Sequence, residues 1–182
     1  MSVEEILAVL LAIVYLVLAS GGQRWCWPAG IASSLLYVFI CYRANLLIEA
    51  ALQVFYVGAG IAGWLQWKPG HDSNSTKPRN WSRGEALRYF GISISLSLMA
   101  GFLFSRYTQT SYPWLDAGIS VFSITCTLLV VKKIIQNWPI WIVIDLAAAY
   151  LYARRGLELS AGLYLLYCII AIIGWKQWTR KD

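Results

Sequence analysis

Seven apolar runs, at roughly 4–20, 27–42, 46–66, 87–105, 114–131, 138–153 and 158–177, divide this chain, and most of the breaks between them are short and polar or charged. A helix needs about 20 residues to cross a hydrocarbon core about 30 Å thick. The pattern therefore calls for helices whose solvent is lipid, and the runs 27–42 and 138–153 are the short ones. Composition agrees: 59% of the 182 residues are hydrophobic and 13% are charged, against about 25% charge in ordinary soluble domains. Seven crossings put the two termini on opposite sides. Residues 6–19 have the apolar core of a secretory signal, but a signal has a basic leader and this chain begins MSVEE. That run is expected to stay as the first helix.

Basic residues set the orientation, because Lys and Arg are retained on the cytoplasmic side. Four of the 15, Arg43, Arg106, Arg154 and Arg155, fall on the N-terminal side, and the other eleven fall opposite. The N-terminus is expected outside and the C-terminus in the cytoplasm. The net charge of +6 then follows from topology, and no nucleic-acid partner is expected. Cys26, Cys41, Cys126 and Cys168 have no CxxC spacing and read as small hydrophobes. No metal or cofactor is expected.

The chain also repeats itself. At an offset of 111 residues, 27–67 aligns without a gap on 138–178, with WP at one end and GWxQW at the other; 14 of the 41 positions are identical. Helices 2 and 3 thus match helices 6 and 7, helix 1 should correspond to helix 5, and helix 4 is left as the connector. The expected fold is an all-α integral membrane protein of seven transmembrane helices in a parallel 3+1+3 repeat. Its parts are a first triple-helix bundle at 1–67, a cytoplasmic basic linker at 68–85, a connecting helix at 86–106 and a second bundle at 107–182. Parallel repeats about an axis along the membrane normal are a transporter plan, with substrate held near mid-membrane between the halves. His71 stands alone in the linker and is given no metal or catalytic role.

Of nine carboxylates only Asp145 falls midway along a crossing. An Asp there costs about 2.5 to 3.5 kcal/mol even on the lowest scales, so such a residue faces the protein interior and marks a pathway or site. Trp138 and Trp141 precede it at seven and four residues, on one helix face. Aromatic faces with a carboxylate deeper in make a cradle for a flat cation. Gln53, an uncharged polar residue within an apolar run, can donate and accept, and Tyr56 follows one turn later. Ser33 and Ser34 read as small residues for helix packing, Ser34 being the repeat partner of Asp145. Most other tryptophans, Trp64, Trp67, Trp175 and Trp178 among them, read as belt residues at the membrane interfaces.

The Trp-x-x-Trp-x-x-x-Asp pattern of Trp138, Trp141 and Asp145, together with LQVFYVGAGIAGWLQW at 52–67, resembles the PnuC family of bacterial vitamin transporters. The likeness extends over nearly the whole chain. It implies a fold similar to that of the SWEET sugar transporters. It also implies facilitated diffusion of a vitamin precursor across the inner membrane without ATP, driven by phosphorylation inside the cell and hence by a cytoplasmic kinase. Members move nicotinamide riboside, thiamine or riboflavin. By the resemblance Trp138, Trp141 and Asp145 line the substrate site, with Gln53 and Tyr56 as neighbours. Nicotinamide riboside carriers have Asn at the last motif position, where this chain has Asp145. The carboxylate suits cationic nicotinamide riboside, the first expectation, or cationic thiamine, the alternative, better than neutral riboflavin. Homo-oligomerisation stays open.

Two other classes compete. A membrane-embedded enzyme would need paired acid and base groups, a nucleophile with its base, or HExxH. None of these is present, nor is a GxxxxGK[ST] loop to cradle ATP phosphates, and the chain is expected not to be an enzyme. A structural or assembly subunit would use Asp145 as a pin between helices and the aromatics as belts, which leaves the Trp-Trp-Asp face without a purpose.

Overall fold

The computed structural model describes residues 3–44, 46–67 and 77–181, with only the backbone of Leu47 and Ile48. His71 and most of the expected linker lie outside the described residues. Seven helices follow one another: α1 Val3–Ser20, α2 Cys26–Arg43, α3 Leu47–Gln66, α4 Arg83–Tyr107, α5 Pro113–Val131, α6 Asn137–Arg154 and α7 Glu158–Thr179. Among the described residues there is no strand, only an isolated parallel bridge between Arg79 and Ile134.

Local chemistry sets the helix ends. Pro28 and Pro139 lie in the first turns of α2 and α6 and Pro113 opens α5, positions where the missing N–H has no intrahelical partner to lose. Ser82 and Glu85 close a reciprocal capping box on α4, which therefore begins at Arg83, inside the stretch expected as linker. The turns after α1 and α5 are alike: Gly22 (φ 72°) and Lys133 (φ 53°) are both left-handed. The next residues, Gln23 and Ile134, donate to Leu18 and Leu129, 2.9 Å each, the helix-closing motif expected there. These pairs stand 111 residues apart, so the duplication extends into the α1–α2 and α5–α6 connections.

Packing follows the same two-fold plan. α2 lies between α1 and α3, and α6 between α5 and α7; α3 meets α5 and α7 meets α1, which closes a ring of six helices. α4 stands outside the ring against α5 alone. By length and composition α1, α4, α5 and α7 are apolar enough to cross a membrane. α2 and α6 have 18 residues each, about 27 Å at 1.5 Å per residue. Their polar residues Ser33, Ser34 and Asp145, which lower their hydropathy, are buried against other helices, Ser33 donating to the Ala8 carbonyl of α1. Their outer faces stay apolar and exposed, as at Leu35, Phe39, Val143 and Leu146.

The largest fully buried side chains gather at the end where α1, α3, α5 and α7 finish, here termed the basic end. Trp27, Trp67, Trp138 and Trp178 are all at most 4% exposed there. This corrects the belt reading of Trp67 and Trp178: their indole N–H groups donate to the buried Val131 and Ala19 carbonyls. Their rings pack edge-on against Trp27 and Trp138, which the missing side chains of Gly63 and Gly174 let seat inside. A Cβ on Gly174 would stand 2.7 Å from the Trp138 ring, and one on Gly63 would overlap Trp27. Trp175 is exposed, as a belt residue would be, and Trp64 is covered by the Arg24 guanidinium, 3.6 Å from its ring centroid.

Candidate substrate site

α6 carries the candidate site on its inward stripe. Trp138 is 1% exposed and Asp145 4% exposed, with Trp141 half-buried between them, while Val143, Leu146 and Tyr150 face outward. Helical spacing of three and four residues places the inward group on one face. Trp138 sits lowest, edge-on to Trp178 at 5.4 Å between centroids. Asp145 lies two turns further in, and among the described residues its carboxylate has no hydrogen-bond donor and no basic partner. A buried charge without a partner is costly, so the site as built is short of a cation or a donor.

Other helices converge on this carboxylate. Tyr164 and Tyr167 of α7, and Cys126 of α5, are ionisable groups within electrostatic reach of it. Tyr164 stacks on Tyr152 of α6, 5.2 Å between centroids and 21° between planes, and meets Tyr167 edge-on at 5.7 Å. Tyr37 of α2 approaches Tyr167 and Tyr152 from the opposite side of the ring. Tyr56 of α3 faces Ser123 and Cys126 of α5, and Cys126 is within electrostatic reach of both Tyr56 and Asp145. Gln53 is half-buried one turn earlier on α3 and forms no hydrogen bond among the described residues. Trp138, Trp141 and Asp145 thus share a face, Tyr56 is linked to that side through Cys126, and no hydrogen bond joins Gln53 to the others among the described residues.

Tyr37, Tyr164 and Tyr167 did not emerge from the sequence as site residues. The repeat held the signal for two of them, since Tyr167 is the partner of Tyr56 and Tyr164 the partner of Gln53 at the same 111-residue offset. The site is nonetheless one-sided. Ser34 stands where the second half has Asp145, and Gly30 where it has Trp141. A Cβ on Gly30 would come within 2.8 Å of the Tyr15 ring, and the partner of Tyr15 is Cys126. One half has its large ring on the outer helix over a glycine; the other has a tryptophan on the central helix and a small thiol at the outer-helix position.

Outside the spanning segments, Lys133 at the basic end has its ammonium 4.5 Å above the Trp67 ring. Burial lowers its pKa below the usual lysine range. The ammonium covers the tryptophan cluster from the aqueous side.

A closed ring of apolar-faced helices, duplicated in parallel, with the Asp145 carboxyl group buried within it and without a hydrogen-bond donor among the described residues, fits a multi-pass membrane transporter. The chain belongs to the family described as nicotinamide mononucleotide transporter, the PnuC family, whose profile matches residues 2–180; this is a family of transporters and not of enzymes. Among its relatives, the riboflavin/roseoflavin transporter RibM of Streptomyces davaonensis is 25% identical over 95% of this chain and 84% of its own length. The nicotinamide riboside transporter PnuC of Escherichia coli is 24% identical over 84% of this chain and 74% of its own. The crystal structure of the vitamin B3 transporter PnuC shares the fold, with a TM-score of 0.75 and 21% identity over 97% of this chain and 80% of that one.

Proposed function

We propose that this transporter carries a cationic, ring-bearing vitamin precursor, with nicotinamide riboside the first candidate and thiamine the alternative of the same charge. The observation that carries the reading is Asp145, a buried carboxylate without a partner, on one helix face with Trp141 and Trp138. A pyridinium or thiazolium cation would supply the missing opposite charge, and the indole faces would cover its ring. The nicotinamide riboside transporters among the relatives support the choice of substrate. Transport would proceed by alternating access, one three-helix half shifting against the other around the site, as facilitated diffusion with the product trapped by a cytoplasmic kinase. The concentration of basic residues at one end supports a cytoplasmic C-terminus and an inner-membrane setting. The division into bundles at 1–67 and 107–182 fits these two moving halves.

The test is uptake of labelled nicotinamide riboside into proteoliposomes by the parent protein and Asp145→Asn. Removing a charge-assisted hydrogen bond from a buried site weakens binding about tenfold or more, so uptake at low substrate should fall by that factor. Unchanged uptake by Asp145→Asn would remove Asp145 from the site. A second reading has a specific observation behind it: the riboflavin/roseoflavin transporter is as similar to this chain as the nicotinamide riboside transporter is. Riboflavin is neutral, and its carriage would leave the carboxylate to accept hydrogen bonds from ligand hydroxyls.

A further inference from the structure

At the basic end hydrogen bonds from three side chains join the two three-helix halves among the described residues. The indole Nε1 of Trp67, in the first half, donates to the Val131 carbonyl of the second at 3.0 Å. The indole Nε1 of Trp178, in the second half, donates to the Ala19 carbonyl of the first at 3.1 Å. Lys181 Nζ adds a bond to the Gly21 carbonyl at 2.7 Å. At the opposite end the ion pairs described stay within a half: Arg43 with Glu4 at 3.7 Å, and Arg155 with Asp116 at 2.6 Å. The basic mouth is the one these bonds latch.

The latch is symmetric. Trp67 and Trp178 are repeat partners, as are Trp27 and Trp138, and the four rings form one chain. Trp27 meets Trp67 edge-on at 5.1 Å, Trp67 meets Trp178 at 5.9 Å, and Trp178 meets Trp138 edge-on at 5.4 Å. The middle contact is the one that crosses between halves. The indole N–H groups of Trp27 and Trp138 are buried with no acceptor among the described residues. An unmade bond of this kind is costly, and water reaching these two groups would offset it. The closed mouth therefore holds two satisfied indoles against two unsatisfied ones, a balance suited to an element with two states.

We infer that Trp67 and Trp178 are gate residues: their indole N–H bonds across the halves close the basic mouth beneath the substrate site, and both must break for substrate to leave on that side. The inference rests on the alternating-access reading above. Trp138 belongs to the gate and to the candidate site alike, so an occupant beside Trp141 would press directly on the ring chain.

Cys26 provides the reporter. It is 0% exposed and packs in the same cluster as Trp27, Trp67 and Trp178, so a thiol reagent reaches it only when the mouth opens. Cys168 is the control: it is buried on the Asp145 side of the ring chain, its thiol donating to the Ile142 carbonyl of the same half at 3.5 Å. Ten residues before Trp178 on α7, about 15 Å along the helix, it stays covered when the bonds at the basic mouth alone are lost. The experiment measures maleimide labelling of full-length protein in detergent, with either Cys26 or Cys168 as the sole cysteine, with and without Trp67→Phe and Trp178→Phe. Phenylalanine keeps a ring and removes the N–H. Loss of two such bonds should accelerate Cys26 labelling about tenfold or more and leave Cys168 unchanged. Unchanged Cys26 labelling, or equal acceleration at both cysteines, would overturn the gate; if the double variant does not fold, each single variant is read by the same two cysteines. The labelling needs no substrate, so a gate that opens as predicted while Asp145→Asn leaves uptake intact would separate failure of the site from failure of the gate.

Discussion

Gly63 and Gly174 show how much a single missing side chain decides here. Each sits where a Cβ would run into the indole of Trp27 or Trp138, so each permits a tryptophan to be buried where a membrane chain would otherwise leave it at the interface. Overpacking a filled site costs about 1–3 kcal/mol, and Gly63→Ala and Gly174→Ala should each lower the thermal unfolding midpoint in detergent. Gly58 lies on the same helix as Gly63, with open space around its Cβ position. Gly58→Ala should be neutral or stabilising, since alanine favours a helix by up to about 1 kcal/mol over glycine. Equal midpoints for all three variants would contradict the seating argument. The sequence displayed these glycines inside the GWxQW repeat, but Trp67 and Trp178 still read as belt residues. Burial of a helix-end tryptophan depends on what a neighbouring helix offers, and a run of apolar letters does not show that. Asp145 was legible for the opposite reason: a carboxylate in mid-membrane has few places to go.

At the scale of elements, the seven helices and the pairing of α1–α3 with α5–α7 were legible because run length and a 111-residue offset are properties of the chain itself. The ring order and the seat of α4 were not, since nothing in an apolar run names its neighbours. The start of α4 was a local matter that a search for apolar runs passes over. Ser82 Oγ accepts from the Glu85 N–H at 3.2 Å, Glu85 accepts in turn from the Ser82 N–H at 2.9 Å, and Arg79 grips the same carboxylate at 2.7 and 3.0 Å. Arg79 in turn is fastened to the α5–α6 turn, its N–H donating to Lys133 and its carbonyl accepting from Ile135, 2.9 Å each. α4 is thereby tied at its start to the connection that leads into Trp138. Removing an N-cap costs about 1 kcal/mol, worth roughly 2–4 °C in a chain of this size. Ser82→Ala should show that loss by differential scanning fluorimetry, and an unchanged midpoint would mean that the Arg79 contacts hold the helix start without the cap.

For the whole molecule, a parallel duplication gives two similar halves, and function requires that they differ at one place. They differ at Asp145 against Ser34 and at Trp141 against Gly30, so the second half holds the charge and the half-buried ring while the first supplies a smaller, uncharged wall. The symmetric parts, the four tryptophans and their two glycines, lie at one mouth, where equal and opposite contacts can latch the halves. The central claim is that the buried carboxylate selects a cation. Its most direct test is equilibrium binding to detergent-purified protein, followed by tryptophan quenching, with nicotinamide riboside, thiamine and riboflavin, each against the parent and Asp145→Asn. The account predicts that one of the two cations binds at least about tenfold more tightly than riboflavin, and that Asp145→Asn removes that preference. Riboflavin binding as tightly as either cation, with the variant and the parent alike, would contradict it.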